Sequence, residues 1–130
     1  MNIEDEMMQL GELQHVGMAL LQFVRSLERG NFVKSSKTWL YDPYRFVGFE
    51  IRLQKKKLNV LVRDKVFDLI SDEHRKVLPC YRGGNWSARL EITSPRQLHA
   101  ACEYIVISRQ AGRHTRADWL TPSVRTAVSK

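Results

Sequence analysis

The sequence predicts an α+β fold, in which an N-terminal helix and a second helix at residues 95–111 pack on one face of a mainly antiparallel sheet of about three to five strands. Three observations lead to this prediction. Apolar residues recur at helical spacing through residues 3–28, and two runs of alternating apolar and polar residues occupy residues 47–63. A turn, a strand and a capped helix then follow one another in residues 78–111.

The first predicted element is a long amphipathic helix over residues 3–28. Its apolar positions are three and four residues apart, and its first turn is acidic, which complements the helix dipole. Gly30 and Asn31 end it. Gly11 and Gly17 weaken it, since each glycine costs up to about 1 kcal/mol relative to alanine. They are interpreted as marking a bend or a close approach of another backbone.

Aromatic and basic residues are interleaved in the next segment, residues 32–45. They are Lys34, Lys37, Trp39, Tyr41, Tyr44 and Arg45. Aromatic faces that stack bases, beside cations that meet phosphates, build sites for single-stranded nucleic acid. The segment matches no known nucleic-acid motif, so the favoured interpretation is that Trp39 and Tyr41 pack against the first helix.

Two alternating runs, at residues 47–53 and 58–63, predict two antiparallel strands. The tip that joins them consists of Lys55, Lys56 and Lys57. Such a tip either contacts phosphates without reading sequence or places solvated charge at a sheet edge. Residues 65–70 fit a strand or a short helix, and the residues after Ser71 predict a helix that leads to Val77.

Residues 78–111 contain the clearest local signals. Gly83 and Gly84 predict a turn, and Trp86 opens a strand whose apolar face continues through Ala88, Leu90 and Ile92. The next segment predicts a helix start, with Ser94 as N-cap, Pro95 at the first helical position and Gln97 three residues after the cap. The helix is predicted to bury Leu98, Ala101, Cys102 and Ile105.

The charge is distributed unevenly along the 130 residues. The formal net charge is +7, yet residues 1–29 hold five acids and two bases, a net of −3, which leaves +10 on residues 30–130. A field of this sign attracts polyanions, although it also simply favours solubility. One domain is predicted at residues 1–120, with a flexible basic tail at 121–130.

Composition also suggests where the protein works. No apolar run is long enough for a membrane span, and the acidic start is unlike a secretory signal, so a cytoplasmic protein without membrane contact is expected. In that compartment Cys80 and Cys102 are expected to remain reduced thiols.

The motifs that enzymatic and metal sites require are incomplete in this sequence. Residues His74, Cys80, His99 and Cys102 lack the ligand spacing of a zinc site, and a nucleophilic Cys–His pair has no further support. A metal-dependent nuclease needs clustered carboxylates, whereas the strand acids Glu50 and Glu91 are far apart in sequence. No metal, no cofactor and no catalytic residue are therefore assigned.

Residues 45–110 resemble the C-terminal half of the small double-wing DNA-binding domains. The resemblance rests on a Pro-x-Tyr segment at residues 79–81, a strand opened by Trp86 and a closing helix through Ser108. The loop before Trp86 is shorter than in that family, Asn85 stands where the family has His, and Arg109 stands where it has Tyr. The chain is also similar to small α+β domains of unknown function. Only the first resemblance implies DNA.

Together these features predict a non-enzymatic nucleic-acid-binding module, with DNA favoured over RNA, that uses a basic sheet face and a hairpin tip. The alternating strands are predicted to place Arg52, Arg63 and Arg89 on the sheet face opposite the core. The other predicted contacts are the tip residues Lys55, Lys56 and Lys57, together with Lys34 and Lys37. The alternative is a protein-interaction or regulatory domain with an acidic partner, and a metal-dependent nuclease is the third hypothesis. The sequence does not predict an oligomeric state.

Overall fold

The computed structural model describes residues 2–82 and 87–111, which form five α-helices and a six-stranded sheet. The helices are α1 (Ile3–Met7), α2 (Gln14–Leu27), α3 (Val66–Leu69), α4 (Asp72–Val77) and α5 (Leu98–Gln110). The strands are β1 (Asn31–Ser35), β2 (Thr38–Asp42), β3 (Val47–Arg52), β4 (Lys57–Arg63), β5 (Cys80–Arg82) and β6 (Ser87–Ile92). The predicted turn at Gly83 and Gly84, the position of Trp86 and the predicted tail lie outside the described residues.

The sheet has the order β1-β2-β3-β4-β6-β5, and every pair of neighbours in it is antiparallel. The predicted α+β class is therefore confirmed, as is the hairpin that joins β3 to β4. The sheet has one strand more than the largest number expected. The alternating patterns predicted β3, β4 and β6, and the three other strands are the hairpin β1–β2, which the aromatic segment forms, and the short edge strand β5.

The hydrophobic core lies between the sheet and the helices. Val60, at the centre of β4, is buried together with Phe49 of β3 and Leu90 of β6, which occupy paired positions. Leu20 of α2 and Tyr104 of α5 belong to the same buried cluster. The predicted apolar faces of β3, β4 and β6 are thus the ones that the helices cover.

The N-terminal segment is not the single helix that its periodicity predicts. Helix α1 ends after Met7, a 3₁₀ turn follows at Gly11–Leu13, and α2 then begins at Gln14. Gly11 has a φ of 65°, which glycine adopts without the steric cost that a side chain brings. The bend that the sequence predicted at a glycine therefore lies at Gly11. Gly17 marks a close approach, but the group that approaches it is the side chain of Met7 and not a backbone.

The predicted start of α5 is confirmed in detail. The Ser94 side chain accepts a hydrogen bond from the backbone N–H of Arg96 at 3.2 Å, and Gln97 Oε1 accepts one from the backbone N–H of Ser94 at 3.2 Å. The first turn, Pro95–Gln97, is 3₁₀ before the α-helix proper. The buried face is rotated slightly from the predicted one, because Tyr104 and Ser108 are buried while Leu98 and Cys102 are half-buried.

Replacing Ser94 with alanine is expected to lower the free energy of unfolding by about 1 kcal/mol, because a backbone donor at the helix start loses its acceptor. Chemical denaturation at equilibrium measures this change. An unaltered midpoint and slope would contradict the role given to the cap.

Candidate nucleic-acid interface

The face of the sheet that the described helices leave uncovered contains both signs of charge. Arg52 and Arg89 lie on it as predicted, since they alternate with the core positions of β3 and β6. Lys57, which was predicted as part of the hairpin tip, also lies on it as the first residue of β4. Glu50 and Glu91 lie on it as well. The face that was expected to be basic therefore carries both positive and negative side chains. Arg52 and Lys57 lie at the end of the strands where the β3–β4 hairpin turns.

Two hairpin tips lie side by side at that end of the sheet. The two-residue turn of Ser36 and Lys37 joins β1 to β2, and a 3₁₀ turn at Leu53–Lys55 leads from β3 into β4. Ser36 and Lys56 have φ values of 60° and 52°, so each tip reverses the chain through one left-handed residue.

A cleft of about 440 Å³ lies between the two tips, and we call it the basic cleft. Its lining includes four of the predicted contacts, Lys34, Lys37, Arg52 and Lys55. The acid in its lining is Glu50, whose Oε1 accepts a hydrogen bond from Asn59 Nδ2 at 2.7 Å. Ser36 and Gln54 add a hydroxyl and an amide. The sequence did not predict their position beside the cations, because it depends on how β2 pairs with β3.

The four cations of the basic cleft differ in how they are held. Lys34 Nζ lies 2.7 Å from Glu6 Oε2 and 5.3 Å from the centre of the Trp39 ring, so it also fastens α1 to the sheet. Lys37, Arg52 and Lys55 are exposed and form no ion pair with any residue in the described ranges. These three can therefore take up an anion without breaking an existing pair.

The other two lysines of the tip are engaged elsewhere. Lys56 Nζ donates to the backbone oxygen of Gln9 at 2.8 Å, and Lys57 Nζ lies 3.7 Å from Glu91 Oε1. Both lie beside a second cleft of about 510 Å³, which Leu10 and Thr93 help to line. The three consecutive lysines are thus distributed over two clefts, with Lys55 at the boundary between them.

The last two predicted contacts lie away from the basic cleft. Arg89 is exposed at the middle of β6, opposite Tyr81 of β5. Arg63 is only 4% exposed, which corrects its predicted place on an open face: the position at the end of β4, paired with Ser87, is buried. A buried guanidinium is not accessible to a phosphate, so Arg63 is not part of the interface proposed below.

The aromatic residues of 32–45 confirm the packing interpretation. Trp39 and Tyr41 are buried, the Trp39 indole N–H donates to Glu6 Oε1 at 3.2 Å, and the Tyr41 hydroxyl donates to the Glu28 backbone oxygen at 2.5 Å. Their ring faces are thus unavailable to bases. Tyr81 is the large aromatic side chain that the described part of the chain exposes most, at 51%.

No group of three or more metal-ligating side chains of the His, Cys, Asp and Glu types lies together in residues 2–82 and 87–111. His74 and His99 approach each other, with 6.2 Å between ring centres, but Cys80 and Cys102 are free thiols. Burial raises the pKa of Cys80 to about 11 and also raises the pKa of Cys102. Both thiols therefore remain protonated near neutral pH, where a nucleophile would have to be a thiolate.

Comparison with protein-family models, with curated proteins and with solved structures found no match. In the described ranges, no helix has the length and apolar character that crossing a membrane requires.

Proposed function

We propose that this protein binds nucleic acid through the phosphate backbone, with the basic cleft as the main contact and without chemistry on the strand. The observation that carries the proposal is the meeting of two hairpin tips, which are separated in sequence, around one concavity lined by Lys34, Lys37, Arg52 and Lys55. Four of the eight contacts predicted from the sequence converge there.

The chemistry of the cleft suits phosphate. An arginine guanidinium offers a planar pair of donors that matches phosphate oxygens, and a lysine ammonium acts as a mobile point charge. A concave arrangement of like charges concentrates the field and raises the local concentration of an anionic ligand. Lys37, Arg52 and Lys55 form no ion pair within the described residues, so the three together outweigh Glu50, the acid in the lining of the cleft.

The mode of binding that these groups support is independent of base sequence. Phosphate contacts fix a strand on the surface, whereas sequence is read through base edges and stacking. Trp39 and Tyr41, the aromatic residues that the sequence interleaves with Lys34 and Lys37, are buried. The preference for DNA over RNA rests on the double-wing resemblance alone.

The test is a titration of labelled single- and double-stranded DNA and RNA at low and moderate salt, with the parent chain and the triple variant Lys37→Ala, Arg52→Ala, Lys55→Ala. The triple variant is expected to bind all sequences more weakly. The slope of log affinity against log salt should flatten by about one unit per lost contact, up to about three.

A matched control separates the basic cleft from net charge. The variant Lys65→Ala, Lys76→Ala, Arg96→Ala removes three exposed cations from other elements and gives the same net charge as the first triple. It should bind almost as the parent does. Equal weakening by both triples would reduce the effect to overall charge, and no binding at low salt by the parent would refute the proposal.

An acidic protein partner is the competing outcome, since carboxylates can meet the same cations. An acidic peptide titrated in parallel distinguishes the two. Binding of that peptide in the absence of nucleic-acid binding would support the protein-interaction hypothesis, because the cations of the basic cleft would then bind carboxylates but not the phosphate backbone.

A further inference from the structure

A row of three polar side chains crosses the uncovered sheet face near the hairpin tips. Asn59 of β4 is paired with Glu50 of β3 on one side and with Glu91 of β6 on the other. Side chains at paired positions point to the same face, so the two carboxylates flank one amide. They are 41 positions apart in sequence, and only the strand order brings them together.

The amide between the carboxylates is incompletely satisfied. Asn59 is only 4% exposed, and its Nδ2 donates to Glu50 Oε1 at 2.7 Å. Its Oδ1 is buried and has no donor among the described residues. Glu50 holds the paired position on the β3 side of Asn59, and Glu91 holds the paired position on its β6 side.

Elementary hydrogen-bond chemistry makes this arrangement unfavourable without a further hydrogen-bond donor or a cation. A carboxamide donates only through its nitrogen, and an ionised carboxylate only accepts, so neither glutamate can satisfy the carbonyl oxygen of Asn59. A flipped amide would exchange the two glutamates without removing the conflict. A buried acceptor without a donor costs about 1–3 kcal/mol.

The nearby lysine does not resolve the conflict. Lys57 Nζ lies 3.7 Å from Glu91 Oε1, its side chain is 47% exposed, and it makes no hydrogen bond to Asn59 Oδ1. Lys57 therefore balances part of the charge of Glu91 from the solvent side and leaves the buried oxygen without a partner.

We propose that Glu50, Asn59 and Glu91 bind a hard divalent cation, of the Mg²⁺ or Mn²⁺ class, on the uncovered sheet face. Two carboxylates and one amide carbonyl form an all-oxygen donor set, which suits hard cations and not zinc or copper. Mg²⁺ typically uses one or two carboxylates and completes its octahedron with water or phosphate oxygens, which the open side of the row permits. The cation would also give Asn59 Oδ1 its missing positive partner.

The proposed cation site lies between the two clefts described above. Glu50 also lines the basic cleft, and Glu91 also lines the second cleft. A divalent cation held between them would lie between the two clefts and neutralise the two carboxylates of the row. This site stands on its own geometry and does not depend on nucleic-acid binding.

The direct test is a titration of the full chain with Mn²⁺ in the absence of nucleic acid. Electron paramagnetic resonance measures the concentration of free Mn²⁺ at each step. The parent is expected to bind one Mn²⁺, and Mg²⁺ should displace it. Glu50→Gln combined with Glu91→Gln should weaken binding at least tenfold, since even outer partners of metal sites contribute about 10–100-fold to affinity. The control Glu73→Gln with Glu103→Gln removes the same charge from α4 and α5 and should bind as the parent does.

Glu91→Gln alone provides a readout that a merely structural role would not produce. Its amide nitrogen can donate to Asn59 Oδ1, so the metal-free variant should melt at a higher temperature than the metal-free parent, while Mn²⁺ should no longer raise its melting temperature. Absence of Mn²⁺ binding by the parent, or equal binding by the parent and the double variant, would overturn the proposal.

Discussion

Replacing Ser108 with alanine is expected to lower the free energy of unfolding by about 2–4 kcal/mol. Ser108 is fully buried on α5, and its hydroxyl oxygen accepts the backbone N–H of Arg63 at 2.9 Å. The same hydroxyl donates to the backbone oxygen of Phe46 at 2.5 Å. One side chain thus satisfies two backbone groups beside β3 and β4, and a buried group without a partner costs about 1–3 kcal/mol.

The measurement is equilibrium denaturation of the variant beside the control Ser26→Ala. The Ser26 hydroxyl also donates to a backbone oxygen, that of Phe23 at 2.6 Å, but it is exposed on α2, where water can replace it. The control should change stability by less than about 0.5 kcal/mol. Similar losses in the two variants would show that the Ser108 contacts do not link α5 to the sheet.

Replacing Gly30 with alanine is expected to destabilise the fold by about 3 kcal/mol. A Cβ atom at this position would lie 2.1 Å from the backbone oxygen of Asp42 and 2.9 Å from the ring of Tyr41. The backbone between α2 and β1 must then move away from β2, and forced overpacking costs about 1–3 kcal/mol or more.

Gly17→Ala is the informative comparison, because the group in the way there is flexible. Its Cβ would meet the Met7 sulfur at 2.5 Å, and a methionine side chain can adopt another rotamer. Alanine also gains up to about 1 kcal/mol of helix propensity within α2. Thermal and chemical denaturation should show a change within about 1 kcal/mol, and a larger loss than for Gly30→Ala would contradict the packing described.

Two acids of the N-terminal segment form ion pairs with basic residues of the later part of the chain. Glu6 of α1 pairs with Lys34 at the rim of the basic cleft, and Glu28 pairs with Arg109 of α5 at 2.9 Å. The net negative charge of residues 1–29 therefore neutralises particular cations of the later segment. The cations that form no ion pair with described residues at the basic cleft, Lys37, Arg52 and Lys55, remain available to a ligand.

Where local order decides the conformation, the sequence was sufficient. The alternation of residues 47–63 predicted β3, the lysine tip and β4, because the period of two places one face of each strand in the core. The sequence 94–97 predicted the capped start of α5, because the cap requires only side chains and backbone groups within three residues of each other. These elements carried the prediction of the fold class.

The tertiary structure alone decided the pairing of distant segments and, with it, both proposed sites. The pairing of β2 with β3 placed Lys34 and Lys37 beside Arg52, and the pairing of β4 with β6 placed Glu91 in one row with Glu50. Burial of Arg63 was likewise invisible, since an alternating pattern identifies two faces but not how well each is covered. Periodicity and capping depend on residues that are close in sequence, so the sequence by itself determined the helices and strands. Strand register depends on contacts between residues far apart in the chain, so only the folded chain determined the sites.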